Sequence, residues 1–414
     1  MSTPLRCREP LWTRQGVEPD PTAIHTSIMS DHDPHLPLRE GVRRICAAFP
    51  DEYWREREAA HEFPWAFYKA FADAGWIGIA IPEQYGGGGA GITEASILLE
   101  EVAASGACLN GCSAIHLSVF GMNPVVKHGS ETMKSAYLPR VASGELHVSF
   151  GVTEPDAGTD TTNISTRATK VEGGYRIRGR KIWNSKAHVA EKCLLLARTT
   201  PLEDVRKRTD GMTLFLVDLQ VPDVDIQPIP KLGRNAVASC EVSFDDVFVA
   251  DDDLVGEEGR GFHQLLDGLN PERILLAAEA LGIGRVALRR AVAYANERVV
   301  FGRPIGKNQG ISFPLADAHM RLRAAEMMVR EASARYDAGL PCAEEANSAK
   351  YLAADAAYEA ADRAVQTHGG MGYATEYDVE RYWREARLIR IAPISQEMIL
   401  NYVAEHVLGL PRSY

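Results

Sequence analysis

Gly282-Ile283-Gly284-Arg285-Val286-Ala287 has the spacing of a loose G-x-G-x-x-A fingerprint, which brings backbone N–H groups against a pyrophosphate when it joins a strand to a helix. Here it lies well inside a helical pattern that begins at Pro271, so its glycines are expected to serve close helix packing. Gln84-Tyr85-Gly86-Gly87-Gly88-Gly89 has no strand before it and no Lys-Ser/Thr after it, so it reads as a turn and not a phosphate loop. Cys108 and Cys112 stand one helical turn apart, as half a metal site would. No second Cys/His pair of zinc spacing accompanies them, so buried, unreactive thiols and no metal are expected. His25, His32 and His35 beside Asp31 and Asp33 belong to a terminal tail and are likewise not read as a metal site.

Three longer segments carry a stronger signal. The first is Phe150-Gly151-Val152-Thr153-Glu154-Pro155-Asp156-Ala157-Gly158-Thr159-Asp160, followed by Lys181-Ile182-Trp183-Asn184-Ser185. The second is Arg298-Val299-Val300-Phe301-Gly302-Arg303-Pro304, with Gln309 after it. The third is Gln366-Thr367-His368-Gly369-Gly370-Met371-Gly372, running on to Arg384-Glu385-Ala386-Arg387 and Ser395. Arginine offers phosphate a fork of donors, and glycines let backbone N–H groups approach an anion. Asn270-Pro271-Glu272-Arg273 reads as a helix start, with Asn270 as N-cap and Pro271 at the first helical position. The helix dipole would lower the pKa of Glu272, whereas an apolar, desolvated pocket would raise it by more.

The elements that must position these residues follow from the hydrophobic period. It is helical from about Leu38 to Leu146 and changes near Val148 to that of strands. Val171 to Ile177 reads as a hairpin through Gly173-Gly174, while Cys193–Ala197 and Thr213–Val217 read as buried strands. Asp251-Asp252-Asp253 marks the exit from this block, and from Gly261 the helical period returns, with a long helix from Ile274 to about Val300. The expected organisation is a 1–36 extension, a helical domain 37–147, a β domain 148–256 and a helical domain 257–414, with Met29 a plausible alternative start.

The chain has 414 residues, enough for about three domains. Its formal charge of −11 argues against a broad nucleic-acid-binding surface, so any polyanionic ligand needs a local pocket. Seven cysteines without CxxC spacing indicate reduced thiols. No signal peptide and no uninterrupted apolar run of membrane-spanning length are read, so a cytoplasmic protein is expected.

The three segments, and the α, β, α order, resemble the acyl-CoA dehydrogenase family of flavoproteins over roughly residues 38–414. The resemblance implies an α+β fold with an N-terminal helical domain, a central β-barrel-like domain and a C-terminal helical bundle, and FAD as cofactor. It places Val152, Thr153, Trp183 and Ser185 at the flavin ring, with Gly158 and Thr159 near flavin and CoA phosphate oxygens. A flavin accepting hydride needs hydroxyl donors at its polar edge and an apolar wall, which Thr153, Ser185 and Trp183 suit. Arg298, Phe301, Gln309, Gln366, Gly369 and Gly370 match positions that bind the adenine and pyrophosphate end of FAD from a neighbouring subunit, implying a homo-oligomer, tetramer or dimer. Ser395 matches a further cofactor position, Arg273 a substrate position, and His368 is expected to stabilise its loop.

The reaction implied is α,β-dehydrogenation of an acyl-CoA, with electrons passed to an electron-transfer flavoprotein. Many members carry the base at the position where Pro393 stands here, and proline takes no proton; other branches carry it in a Glu-Arg pair on the earlier helix, which points to Glu272. Pro393 also lacks the N–H that helps polarise the thioester carbonyl at that position. A flavin-dependent oxidase or monooxygenase on the same fold is the alternative.

Overall fold

The computed structural model describes residues 33–413, so the start at Met29 and the tail residues His25, Asp31 and His32 lie outside the described residues. The N-terminal helices are α1 (Leu36–Cys46), α2 (Asp51–Ala60), α3 (Trp65–Asp73), α4 (Ile92–Val102), α5 (Cys108–Val119), α6 (Asn123–His128) and α7 (Glu131–Ala142). The glycine-rich stretch between α3 and α4 is a turn, as its context suggested: Gly86 takes a left-handed conformation, and a side chain on Gly87 would collide with the Ile81 carbonyl. The continuous stretch Ile92–His128 is apolar and long enough to cross a membrane by length and composition, but 83% of its most apolar window is buried in the core. Cys108 and Cys112 are buried free thiols within it, and their burial pushes both well above the ordinary thiol range, so neither forms a ready thiolate.

The middle of the chain forms β1 (Val148–Gly151), β2 (Arg167–Val171), β3 (Gly174–Ser185), β4 (Lys192–Arg198), β5 (Met212–Asp218), β6 (Val224–Pro228), β7 (Ser239–Ala250) and β8 (Leu254–Val255). They make one sheet in the order β6-β7-β3-β2-β4-β5-β8, with β1 running parallel on β4. The hairpin read through Gly173-Gly174 is the β2–β3 connection. β4 is buried along its whole length because side chains alternate between two cores: Leu194 and Leu196 on one face, Cys193, Leu195 and Ala197 on the other.

The C-terminal part comprises α8 (Gly261–Leu266), α9 (Leu269–Glu297), the short strands β9 (Val299–Val300) and β10 (Arg303–Pro304), α10 (Gln309–Asp337), α11 (Ala343–His368), α12 (Val379–Ile389) and α13 (Gln396–Tyr402). Helix α9 starts earlier than the sequence suggested, with Gly268 at the N-cap. Asn270 does not cap it, because its Oδ1 accepts a hydrogen bond from Arg273 Nη1 at 2.9 Å. Pro271 costs nothing in this first turn, where N–H groups have no intrahelical partner.

Helix α9 is packed against α4, α10 and α11. The G-x-G-x-x-A stretch lies on its packed face: a Cβ on Gly282 would meet the Glu100 carbonyl at 2.4 Å, and one on Gly284 the Ala357 Cα at 3.1 Å. Those glycines serve helix approach. Buried alanines of α11, among them Ala353, Ala357 and Ala361, do the same from the other side.

Candidate active site

Glu272 stands in the first turn of α9, and Glu279 follows two turns later on the same face. His116 of α5 reaches between them. Its Nε2 lies 2.9 Å from Glu272 Oε2 and its Nδ1 lies 2.6 Å from Glu279 Oε1. The Glu279 side chain is 2% exposed and that of His116 8%, but that of Glu272 is 28% exposed, so the chain of contacts leads from the core to an accessible carboxylate. Burial alone would drive the proton off His116; the two carboxylates outweigh it and hold the imidazole well above its ordinary pKa. Arg273 makes its hydrogen bond to Asn270 and leaves Glu272 to the histidine. Adjacent helical residues point apart, as the sequence required.

A second group forms on the edge of β3. After an earlier irregularity at Ile177/Arg178, pairing with β7 runs regularly from Arg178↔Asp245 to Lys181↔Val242 and resumes at Asn184↔Cys240, so Ile182 and Trp183 oppose one residue in a bulge. Trp183 takes φ +65°, an unfavourable conformation for a bulky residue, and 54% of it is exposed. The bulge thus presents a flat ring outward. Segment 152–154 is strapped to it: Ile182 N donates to Thr153 O at 2.9 Å, and Lys181 Nζ donates to Val152 O at 2.9 Å. Ser185 completes the edge, its Oγ accepting from Arg234 Nη1 at 3.2 Å.

Arg234, which the sequence reading passed over, also donates to Ser113 Oγ of α5 at 3.0 Å, while its buried Nε has no hydrogen-bond partner among the described residues. The signal available was a basic turn, Lys231-Leu232-Gly233-Arg234, four residues before β7. His116 was also passed over, although Glu272 and Glu279 seven residues apart on one helix face ask for a cation.

The other residues singled out from sequence fall elsewhere. Gly158 and Thr159 are exposed in the turn after Glu154, with open space where a Gly158 side chain would stand. Arg298, Phe301 and Gln309 are exposed around β9 and β10, with Phe301 fully so. Gln366, Gly369 and Gly370 are exposed at the end of α11. These two stretches meet at one end of the helical bundle, because His368 stacks on Tyr294 of α9 at 4.2 Å between ring centroids and contacts Ala364 O at 2.7 Å. His368 therefore packs its loop. Ser395 caps α13 by accepting from Met398 N at 3.3 Å, so its hydroxyl oxygen already serves the backbone. Next to Pro393, the Ile394 carbonyl accepts from the buried Lys350 Nζ at 2.6 Å.

Three family models cover the chain: the acyl-CoA dehydrogenase N-terminal domain matches residues 32–145, the middle domain 149–247 and the C-terminal domain 259–408. The acyl-CoA dehydrogenase FadE12 of Mycobacterium tuberculosis (strain CDC 1551 / Oshkosh) is 40% identical over 379 residues, 91% of this chain and 96% of that protein. The chain belongs to the acyl-CoA dehydrogenase family. An acyl-CoA dehydrogenase of Bacillus subtilis (strain 168) is 38% identical over 353 residues, covering 85% of this chain and 92% of that one. Among solved structures, butyryl-CoA dehydrogenase from Megasphaera elsdenii superposes with a TM-score of 0.82 at 30% identity, covering 91% of this chain and 98% of that one.

An acyl-CoA dehydrogenase is an FAD-dependent oxidoreductase, and the residues present fit that cofactor. An outward indole on a bulge, hydroxyls at Thr153 and Ser185, an unpartnered buried guanidinium N–H at Arg234 and open space over Gly158 and Gly370 suit a flat, polar-edged, phosphate-bearing group.

Proposed function

We propose that the protein carries out α,β-dehydrogenation of an acyl-CoA thioester to the 2-enoyl-CoA, with Glu272 removing the α-proton and electrons passing on to an electron-transfer flavoprotein. FAD supplies the acceptor for the hydride that leaves the β-carbon. The observation that carries the reading is the Glu272 carboxylate, part-exposed at the start of α9 and backed by a buried imidazole instead of its own neighbour Arg273. An ionised carboxylate with one oxygen held and its side chain accessible suits a general base.

In this reading Val152, Thr153, Trp183 and Ser185 hold the ring, Gly158 and Thr159 approach phosphate oxygens, and Arg273 lies on the substrate side. Arg298, Phe301, Gln309, Gln366, Gly369 and Gly370 serve a neighbouring chain's FAD, and helix geometry supports that division. Glu272 and Glu297 are the two ends of one continuous helix, so the base and Arg298 of a single chain stand about 38 Å apart at 1.5 Å per residue. Exposed Phe313, Met320 and Met327, seven residues apart along α10, supply an apolar stripe of the kind a homo-oligomer buries.

Anaerobic mixing of flavin-loaded protein with a panel of acyl-CoAs tests the reading by loss of flavin absorbance. Bleaching by at least one acyl-CoA, abolished in Glu272→Gln, is expected; bleaching unchanged in that variant overturns the base assignment. One observation favours the second reading, a flavin-dependent oxidase or monooxygenase: Pro393 has no N–H to offer a thioester carbonyl. Absence of bleaching with every acyl-CoA, together with oxygen consumption on another substrate, selects it.

A further inference from the structure

Both nitrogens of His116 face carboxylate oxygens, at 2.9 Å toward Glu272 and 2.6 Å toward Glu279. A neutral imidazole has one donor and one acceptor nitrogen, so it would set a lone pair against one of two ionised carboxylates; an imidazolium donates to both. We propose that His116 is a positioning residue, an imidazolium clamp anchored on Glu279 that aims the Glu272 carboxylate for proton abstraction. The proposal rests on the reading of Glu272 as base and adds to it two residues that touch no substrate.

The surroundings favour the charged state. On its own helix His116 has Cys112, whose buried thiol is neutral, and Ser113. From α9 come Glu272 and Glu279. Lys186, past the end of β3, donates to Ala114 O at 3.4 Å and Ser118 Oγ at 3.1 Å, while Tyr68 of α3 lies 3.2 Å from the same hydroxyl. Arg234 donates to Ser113 Oγ. The hydrogen bonds of both cations go to hydroxyl and carbonyl groups, Arg234 also reaching Ser185 Oγ of β3, and although Arg234 feels the charge of Glu279, the hydrogen bonds to both carboxylates come from the imidazole. Burial opposes the charge on His116, yet its pKa is held well above the usual histidine range by Glu272 and Glu279. Glu279 is in turn 2% exposed, where an ion without a partner is costly.

The test combines a pH profile with a direct view of the ring. A base works when deprotonated, so the rate of flavin reduction falls on the acidic side of the profile. An adjacent cation lowers a carboxylate pKa by about 1–3. His116→Asn should therefore slow flavin reduction more on the acidic side of the profile than at high pH, moving the acidic limb upward. Glu279→Gln, nearly isosteric, should act through the histidine: in protein labelled with carbon-13 at histidine Cε1, the resonance that His116→Asn removes should read imidazolium at pH 8 in the wild type and titrate at lower pH in Glu279→Gln.

An acidic limb left in place by both variants, with Glu272→Gln still inactive, overturns the clamp while leaving the base assignment standing. Normal reduction in Glu272→Gln overturns the base assignment, and with it the catalytic purpose of the clamp. A His116 resonance that reads neutral at pH 8, or one unmoved by Glu279→Gln, overturns the clamp independently of any turnover. Circular dichroism of each variant confirms that a folded protein is being measured.

Discussion

Lys181 Nζ lies 2.8 Å from Glu154 Oε1, with both side chains buried, directly beneath the bulge that turns Trp183 outward. Glu154 also accepts from Ser165 N at 2.7 Å and Thr166 N at 2.9 Å, so one carboxylate ties three segments of the β block together. Burial alone would raise its pKa, but Lys181 and these donors bring it down to about 2.

Glu154→Gln should therefore lower stability by about 3–5 kcal/mol, the usual cost of leaving a buried ion without its partner. The sign with pH follows from a folded pKa below the unfolded one. The stabilisation is present above about pH 4 and lost as pH falls toward 2, so thermal unfolding of the wild type should be acid-sensitive across that window and Glu154→Gln less so. Fluorescence titration with FAD should show weaker binding in the variant, because Val152 and Trp183 lose their common anchor; unchanged affinity would mean that the ion pair does not position the bulge.

Lys186 is fully buried, and that burial depresses its ammonium to about 7. The unfolded chain binds a proton there that the folded one does not between about pH 7 and 10, so stability should rise with pH over this window, and the cost is fully present below it. Each tenfold loss of proton affinity on folding costs about 1.4 kcal/mol, against which two hydrogen bonds, to Ala114 O and Ser118 Oγ, are recovered. Lys186→Met should therefore stabilise the protein at pH 6 by on the order of 2–3 kcal/mol, with the advantage shrinking toward pH 10. Scanning calorimetry at the two pH values decides it; an equal gain at both would sink the electrostatic explanation.

Gly282→Ala distinguishes a packing glycine from a merely permissive one. At an unconstrained helix position this change stabilises by about 0.5–1 kcal/mol. Here the new methyl would meet the Glu100 carbonyl at 2.4 Å and Ala103 Cβ at 2.5 Å, so a loss of about 1–3 kcal/mol in denaturant unfolding is expected.

Met320→Lys combined with Met327→Lys places two charges on the exposed stripe of α10. Sedimentation velocity should show dissociation into smaller species, accompanied by loss of bound FAD if neighbouring chains complete one another's sites. Arg298→Ala should instead leave the assembly intact and weaken FAD binding about tenfold or more, as expected for a charge-assisted bond to phosphate. An assembly that keeps its FAD with Arg298 removed would argue against the assigned role.

The order helix, sheet, helix was legible because it depends on local hydrophobic period, and the alternation along β4 and β5 is a property of successive residues. Glu272 was readable as a first-turn carboxylate facing away from Arg273, since helix geometry separates neighbours wherever the helix goes. The start of α9 was misplaced because Asn270 had two uses, capping the helix or binding Arg273, and only the folded turn chose between them. Which cation faces Glu272 was beyond local reasoning. His116 lies 156 positions earlier, in a helix whose apolar sequence suggests nothing but core, and it meets Glu272 and Glu279 only because α5 docks on α9. Arg234 beside Ser185 and the outward indole of Trp183 likewise depend on how β7 registers against β3. Residue types and local period are carried by the chain itself; partnership between distant charges is set by packing, which closes the distances over which burial gives a charge its strength.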